Sequence, residues 1–95
     1  MYNKCVKFVW DEEKRRTNQD KHGIDFEAAK NLWLDEDRVE IHAPHPMEDR
    51  RIIIAKYHDK LWAGIYTMRD DTIRIISVRR ARRREVNLYE EEKPG

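Results

Sequence analysis

Arg50-Arg51-Ile52-Ile53-Ile54-Ala55-Lys56-Tyr57, Leu61-Trp62-Ala63-Gly64-Ile65-Tyr66-Thr67-Met68 and Ile73-Arg74-Ile75-Ile76-Ser77-Val78-Arg79 decide the fold. Each run is rich in β-branched and aromatic residues, which favour the pleated, half-buried setting of a strand. The connections between them, His58-Asp59-Lys60 and Arg69-Asp70-Asp71-Thr72, have hairpin length. Three consecutive strands joined by hairpins form an antiparallel meander. Upstream, Val39, Ile41 and Ala43 alternate with Arg38, Glu40 and His42, a period of two that adds a fourth strand. Pro44-His45-Pro46 breaks it.

Further upstream the period lengthens. Cys5 to Trp10 reads as a short first strand, and Asp11 then caps a helix with Glu12 and Glu13 in its first turn. Gly23 ends that helix after His22, and Asp25 starts a second one, with Phe26, Ala29 and Trp33 at helical spacing. At the other end, Ala81 to Glu92 reads as a closing helix stopped by Pro94-Gly95. Residues 1–95 are expected to form a single α+β domain: two N-terminal helices, an antiparallel four-stranded sheet plus a short first strand, and a C-terminal helix, with the helices on one sheet face.

Composition bounds the function. Charged residues make up 41% of the chain, far above the ~25% usual in soluble proteins. The net charge is only +1, which argues against disorder. No apolar run approaches the ~18–20 residues needed to cross a bilayer, and the N-terminus lacks a secretory core, so a cytoplasmic protein without a membrane partner is expected. A single cysteine, Cys5, excludes an internal disulfide and reads as a small strand hydrophobe. Of the four histidines, His42 and His45 flank a strand end and Pro44 rather than one helical turn, so no metal is expected; nor does any motif call for a cofactor.

The near-zero net charge hides segregation. Between Arg69 and Arg84 stand seven arginines against two aspartates, a local charge of +5. Arginine suits planar, bidentate contact with phosphate, although a solvated basic face balanced by Glu85 and Glu90 to Glu92 explains the same composition. Asp11 to His22 holds no apolar residue. A helix polar all round lacks the stripe that docks to a core, and pairs such as Asp11–Arg15 and Glu12–Arg16 add only about 0.2–0.5 kcal/mol each. Its ends, its aliphatic stems or a ligand must hold it.

Lys21 and His22 sit where that helix ends. Cations there are favoured by the helix dipole, and the same position exposes a pair able to move protons. On the last strand, simple alternation puts Ser77 and Arg79 on one face and Arg74, Ile76 and Val78 on the other. Hairpin pairing can bring Arg69 towards the start of the last strand, and one of Arg50 and Arg51 can share the face of Arg79. Several guanidinium groups can thus converge on one surface beside a hydroxyl, as phosphate chemistry needs. Trp62 and Tyr66 read as core, with base stacking the alternative if they are exposed.

Trp10-Asp11-Glu12-Glu13-Lys14, Asn18, Lys21-His22-Gly23-Ile24-Asp25-Phe26-Glu27-Ala28-Ala29, Asp49-Arg50-Arg51-Ile52, Ile65-Tyr66-Thr67 and Ile73-Arg74-Ile75-Ile76-Ser77-Val78-Arg79-Arg80-Ala81 together resemble the BrnT family. The resemblance runs roughly from Phe8 to Glu91. It departs at Ala55, where the family usually has glycine, and at Met68, where many members have glutamate. It implies a toxin of a type II toxin–antitoxin pair with a RelE-like fold, acting as a metal-independent endoribonuclease that arrests translation. Its implied partners are RNA and a BrnA-like ribbon-helix-helix antitoxin, in a 2:2 complex that binds operator DNA through the antitoxin. On that reading Lys21, His22, Arg50, Arg69, Ser77 and Arg79 are the candidate catalytic residues, and Arg51, Arg74, Arg80, Arg82 and Arg83 the candidate RNA-binding ones. Two alternatives stay open: an RNA-binding protein that does not cut, and a weak or inactive toxin acting with its partner as a co-repressor.

Overall fold

The computed structural model describes residues 6–92; Cys5 and Pro94-Gly95 lie outside them. The elements run β1 (Lys7–Val9), α1 (Glu12–His22), α2 (Phe26–Ala29), a 3-10 turn (Lys30–Leu34), β2 (Val39–Ala43), β3 (Arg50–Tyr57), β4 (Lys60–Arg69), β5 (Thr72–Arg80) and α3 (Arg83–Glu92). The caps form as the sequence indicates. Asp11 accepts from the Glu13 and Lys14 N–H groups, and Asp25 from the Ala28 N–H. Gly23 ends α1 at φ 74°, the left-handed conformation that glycine adopts without steric cost. The expected Asp11–Arg15 and Glu12–Arg16 pairs do not form; Arg15 instead binds Glu12 and approaches Asp25.

Strands are ordered β1-β5-β4-β3-β2. β2 to β5 form the antiparallel meander, with tight turns at His58-Asp59 and Asp70-Asp71 that use positive φ at His58, Asp59 and Asp70. The expected four-stranded sheet is in fact five-stranded and mixed, because β1 pairs in parallel with β5 through Phe8 and Ile73. That pairing joins residues far apart in the chain, and local pattern carries no signal of it.

The helices do not share one face, contrary to the sequence expectation. α2 and the 3-10 turn cover one side of the sheet with Phe26, Leu32 and Trp33, packed on Ile53, Trp62, Tyr66, Ile75 and Val78. Trp33 meets Phe8 and Tyr66 edge to face, which confirms Trp62 and Tyr66 as core. α3 lies over the other side, where Ile54, Ala63 and Tyr89 are buried and Tyr89 donates its O–H to Asp35. On the first side, Gly64 is needed for closeness: a Cβ there would stand 3.1 Å from Ile53 Cγ2 and 3.4 Å from Leu32 Cδ1. Gly64→Ala is expected to cost about 1 kcal/mol by overpacking, seen as a lower thermal midpoint with the same far-ultraviolet spectrum.

α1 is held neither by a stripe nor by its ion pairs. Its single buried residue, Asn18, spans to the open edge of β5 beyond β1. The Asn18 amide nitrogen donates to the carbonyls of Ile24 and Val78 at 2.9 and 2.8 Å, and its oxygen accepts from the Val78 N–H at 2.9 Å. One side-chain amide thereby does what a neighbouring strand would do, satisfying both backbone groups of Val78.

Candidate functional site

The side of the sheet that carries α3 is only partly covered, and this is where the charged residues gather. β5 departs from simple alternation. Tyr66 pairs with Ile75 but Ile65 pairs with Ser77, so Ile76 is an extra, bulged residue. The bulge inverts the phase: Ile73, Ile75 and Val78 all face the core, while Arg74, Ser77 and Arg79 share the opposite face. The expectation that Arg74 points away from Ser77 is therefore corrected. Register extends the row across the sheet, Arg74 opposite Thr67 and Thr67 opposite Arg50, which puts Arg50 on this face too.

Ile76 and Ser77 line a pocket of about 340 Å³ against α1, whose other walls include Lys14, Thr17, Lys21 and His22. Three of the six candidate catalytic residues, Lys21, His22 and Ser77, thus meet in one concave space. Lys21 and His22 occupy the last turn of α1, and the Asn18 clamp fixes how far that turn stands from β5.

Two residues along from Ser77, Arg79 is locked. Its two terminal nitrogens each lie 2.8 Å from an oxygen of Glu85, and Nη1 also donates to the Arg80 carbonyl. Glu85 is buried and accepts from the Arg82 N–H as well. That last bond is the reciprocal half of a capping box, a residue at the third helical position reaching back to the helix start. The bond from Arg79 holds the Glu85 carboxyl below the usual carboxylate range, against the opposing effect of burial, and the Arg82 N–H helps. Nε–H and one Nη2 hydrogen of Arg79 remain uncommitted, so an anion can still be bound.

The other arginines divide by face and by partner. Arg50 is bound to Glu48 at 2.7 Å. Arg51 is on the core side opposite Tyr66, with Asp49 3.7 Å away. Arg80 also turns to that side, its guanidinium 5.6 Å from the Trp62 ring. Arg82 and Arg83 are exposed at the start of α3. Arg69 and Arg74 border a separate cleft at the far end of the face. Backbone pairing thus spreads Arg69, Arg50, Ser77 and Arg79 over four rows of this face, a strip rather than a point, with Lys21 and His22 reaching it from α1.

Residues 10–85 match a family model of ribonuclease toxins from type II toxin–antitoxin systems. The family is BrnT, and the chain belongs to it. No curated protein sequence matches the chain at a significant level. An antitoxin partner and an RNA target follow from membership of such a family. No helix among the described residues is long and apolar enough to cross a membrane.

Proposed function

We propose that the chain is a metal-independent endoribonuclease of RelE-like type, cutting RNA through the ribose 2′-hydroxyl at the pocket between α1 and β5. The observation that carries this reading is the meeting of Lys21, His22 and Ser77 in that pocket, beside the arginines that the β5 bulge turns to the same face. One of Lys21 and His22 takes the 2′-OH proton, the oxygen attacks the adjacent phosphorus, and the bond from phosphorus to the 5′-oxygen breaks. The other returns a proton to that leaving oxygen. The products are a 2′,3′-cyclic phosphate and a 5′-hydroxyl end. Arg79 stabilises the charge that builds on the phosphoryl oxygens, and Ser77 orients the phosphate.

A BrnA-like ribbon-helix-helix antitoxin would neutralise the toxin, in the 2:2 arrangement that an antitoxin dimer imposes. The test is RNA carrying a single 2′-deoxy residue at a mapped cleavage site, with metal chelated. Cutting at that site is expected to stop while other sites are still cut. Continued cutting there would overturn the mechanism, and binding with no cutting of any RNA would favour the purely RNA-binding alternative.

A further inference from the structure

The cleft at the far end of the active face encloses about 600 Å³, within the range of pockets that hold small ligands. It is lined by Thr67 and Arg69 from the end of β4 and Thr72 and Arg74 from the start of β5, by Val9, which pairs with Arg74, and by Met47 from the segment before β3. Arg74 is three residues before Ser77 on the same face, about 10 Å along the strand.

Arg69 and Arg74 differ from the other arginines of this face. Arg50 and Arg79 are each engaged by a carboxylate, whereas Arg69 and Arg74 make no hydrogen bond or salt bridge among the described residues, Arg74 acting on Glu48 only through its charge at longer range. The acids at the rim are largely spoken for. Glu48 is held by Arg50, and Asp49 approaches His42 and Arg51, which leaves Asp70 as the unpaired one. Val9 is 43% and Met47 84% exposed, two of the three large hydrophobic side chains left in the open among the described residues, and both border this cleft. Uncommitted guanidinium groups beside exposed apolar side chains, joined by hydroxyls, match a nucleotide: phosphate to the arginines, sugar to the threonines, base against Met47 and Val9.

We infer that this cleft is a binding subsite for a nucleotide flanking the cleaved bond. The inference rests on the proposed RNA substrate. It assigns Arg69 to holding RNA at a distance from the α1–β5 pocket.

The experiment measures binding of 5′-labelled, randomised-sequence 2′-O-methyl oligonucleotides of two and six nucleotides, which bind but cannot form a cyclic phosphate. Wild type is expected to gain at least tenfold in affinity from the shorter to the longer ligand. In Arg69→Ala that gain shrinks about tenfold, and the slope of log affinity against log salt for the longer ligand falls by about 0.7. In Met47→Ser the gain also shrinks, with the salt slope kept. Equal gains in wild type and both variants would overturn the subsite. Wild type that shows the length gain yet cuts no RNA would overturn the nuclease reading and leave the subsite standing.

Discussion

Asn18→Ala is expected to lower the unfolding free energy by about 3–4 kcal/mol and to loosen α1 from the sheet. The substitution removes three hydrogen bonds at once and leaves the buried N–H and C=O of Val78, together with the Ile24 carbonyl, without their partner. Each orphaned group costs about 1–3 kcal/mol, and water entering the gap recovers part of the total. A chain of this size has about 5–14 kcal/mol of stability to lose, so the variant should stay folded at low temperature and melt early.

Asn18→Asp sharpens the test. A carboxylate keeps the acceptor for the Val78 N–H but turns a second oxygen towards two carbonyls. It should be at least as damaging as alanine at neutral pH, and regain stability in acid as the carboxyl protonates. Urea unfolding by circular dichroism reads both effects. Hydrogen exchange at Lys21 and His22 reads the loosening, since α1 has no apolar anchor to replace the clamp. If Asn18→Ala melts within about 1 kcal/mol of wild type, α1 is held by something other than this amide. Because Lys21 and His22 reach the candidate site only through α1, RNA cleavage should fall more steeply than stability.

How legible this site was in the sequence varies from residue to residue. Asp11, Gly23 and Asp25 announce their roles because capping depends on side chains within three or four positions. The strand bounds were legible to within a residue or two for the same reason. The β5 bulge left a trace that simple alternation overrode: Ile73 and Ile75 keep one phase and Val78 the other, and the adjacent Ile75-Ile76 pair marks the change. Reading that doublet as a bulge would have put Arg74 with Ser77 and Arg79 from the start. Asn18 gave no such sign. One amide in a fully polar helix resembles its neighbours until the open edge of β5 is placed beside it, and that edge exists because β1 stops at Val9. The parallel β1–β5 pairing and the division of the helices between two faces depend on long-range packing, which no local period encodes.

Glu85→Ala should be the most damaging change on the α3 side, at about 3–5 kcal/mol, because it strands the mostly enclosed Arg79 guanidinium and uncaps α3 together. Glu85→Gln separates the two losses. The amide oxygen can still accept from the Arg82 N–H, so the helix start is kept while the charge that neutralises Arg79 is gone, and about 2 kcal/mol is the expected cost. Glu85 has its folded pKa lowered from 4.5, first by the Arg79 bond. The stabilisation it supplies is therefore complete above the unfolded value and is lost as pH falls through the folded one. The stability gap between wild type and Glu85→Gln should accordingly be widest near neutrality and close as pH falls below the unfolded value and through the lower folded one. Denaturant melts at several pH values measure it, and a gap that stays constant into acid would show that the carboxylate charge is not what holds Arg79. Cleavage adds a second readout. Arg79 unclasped from Glu85 keeps its charge but loses its fixed direction, so RNA binding should change less than turnover. Arg79→Lys should not rescue Glu85→Gln, since an ammonium cannot grip a side chain and a phosphate along two edges.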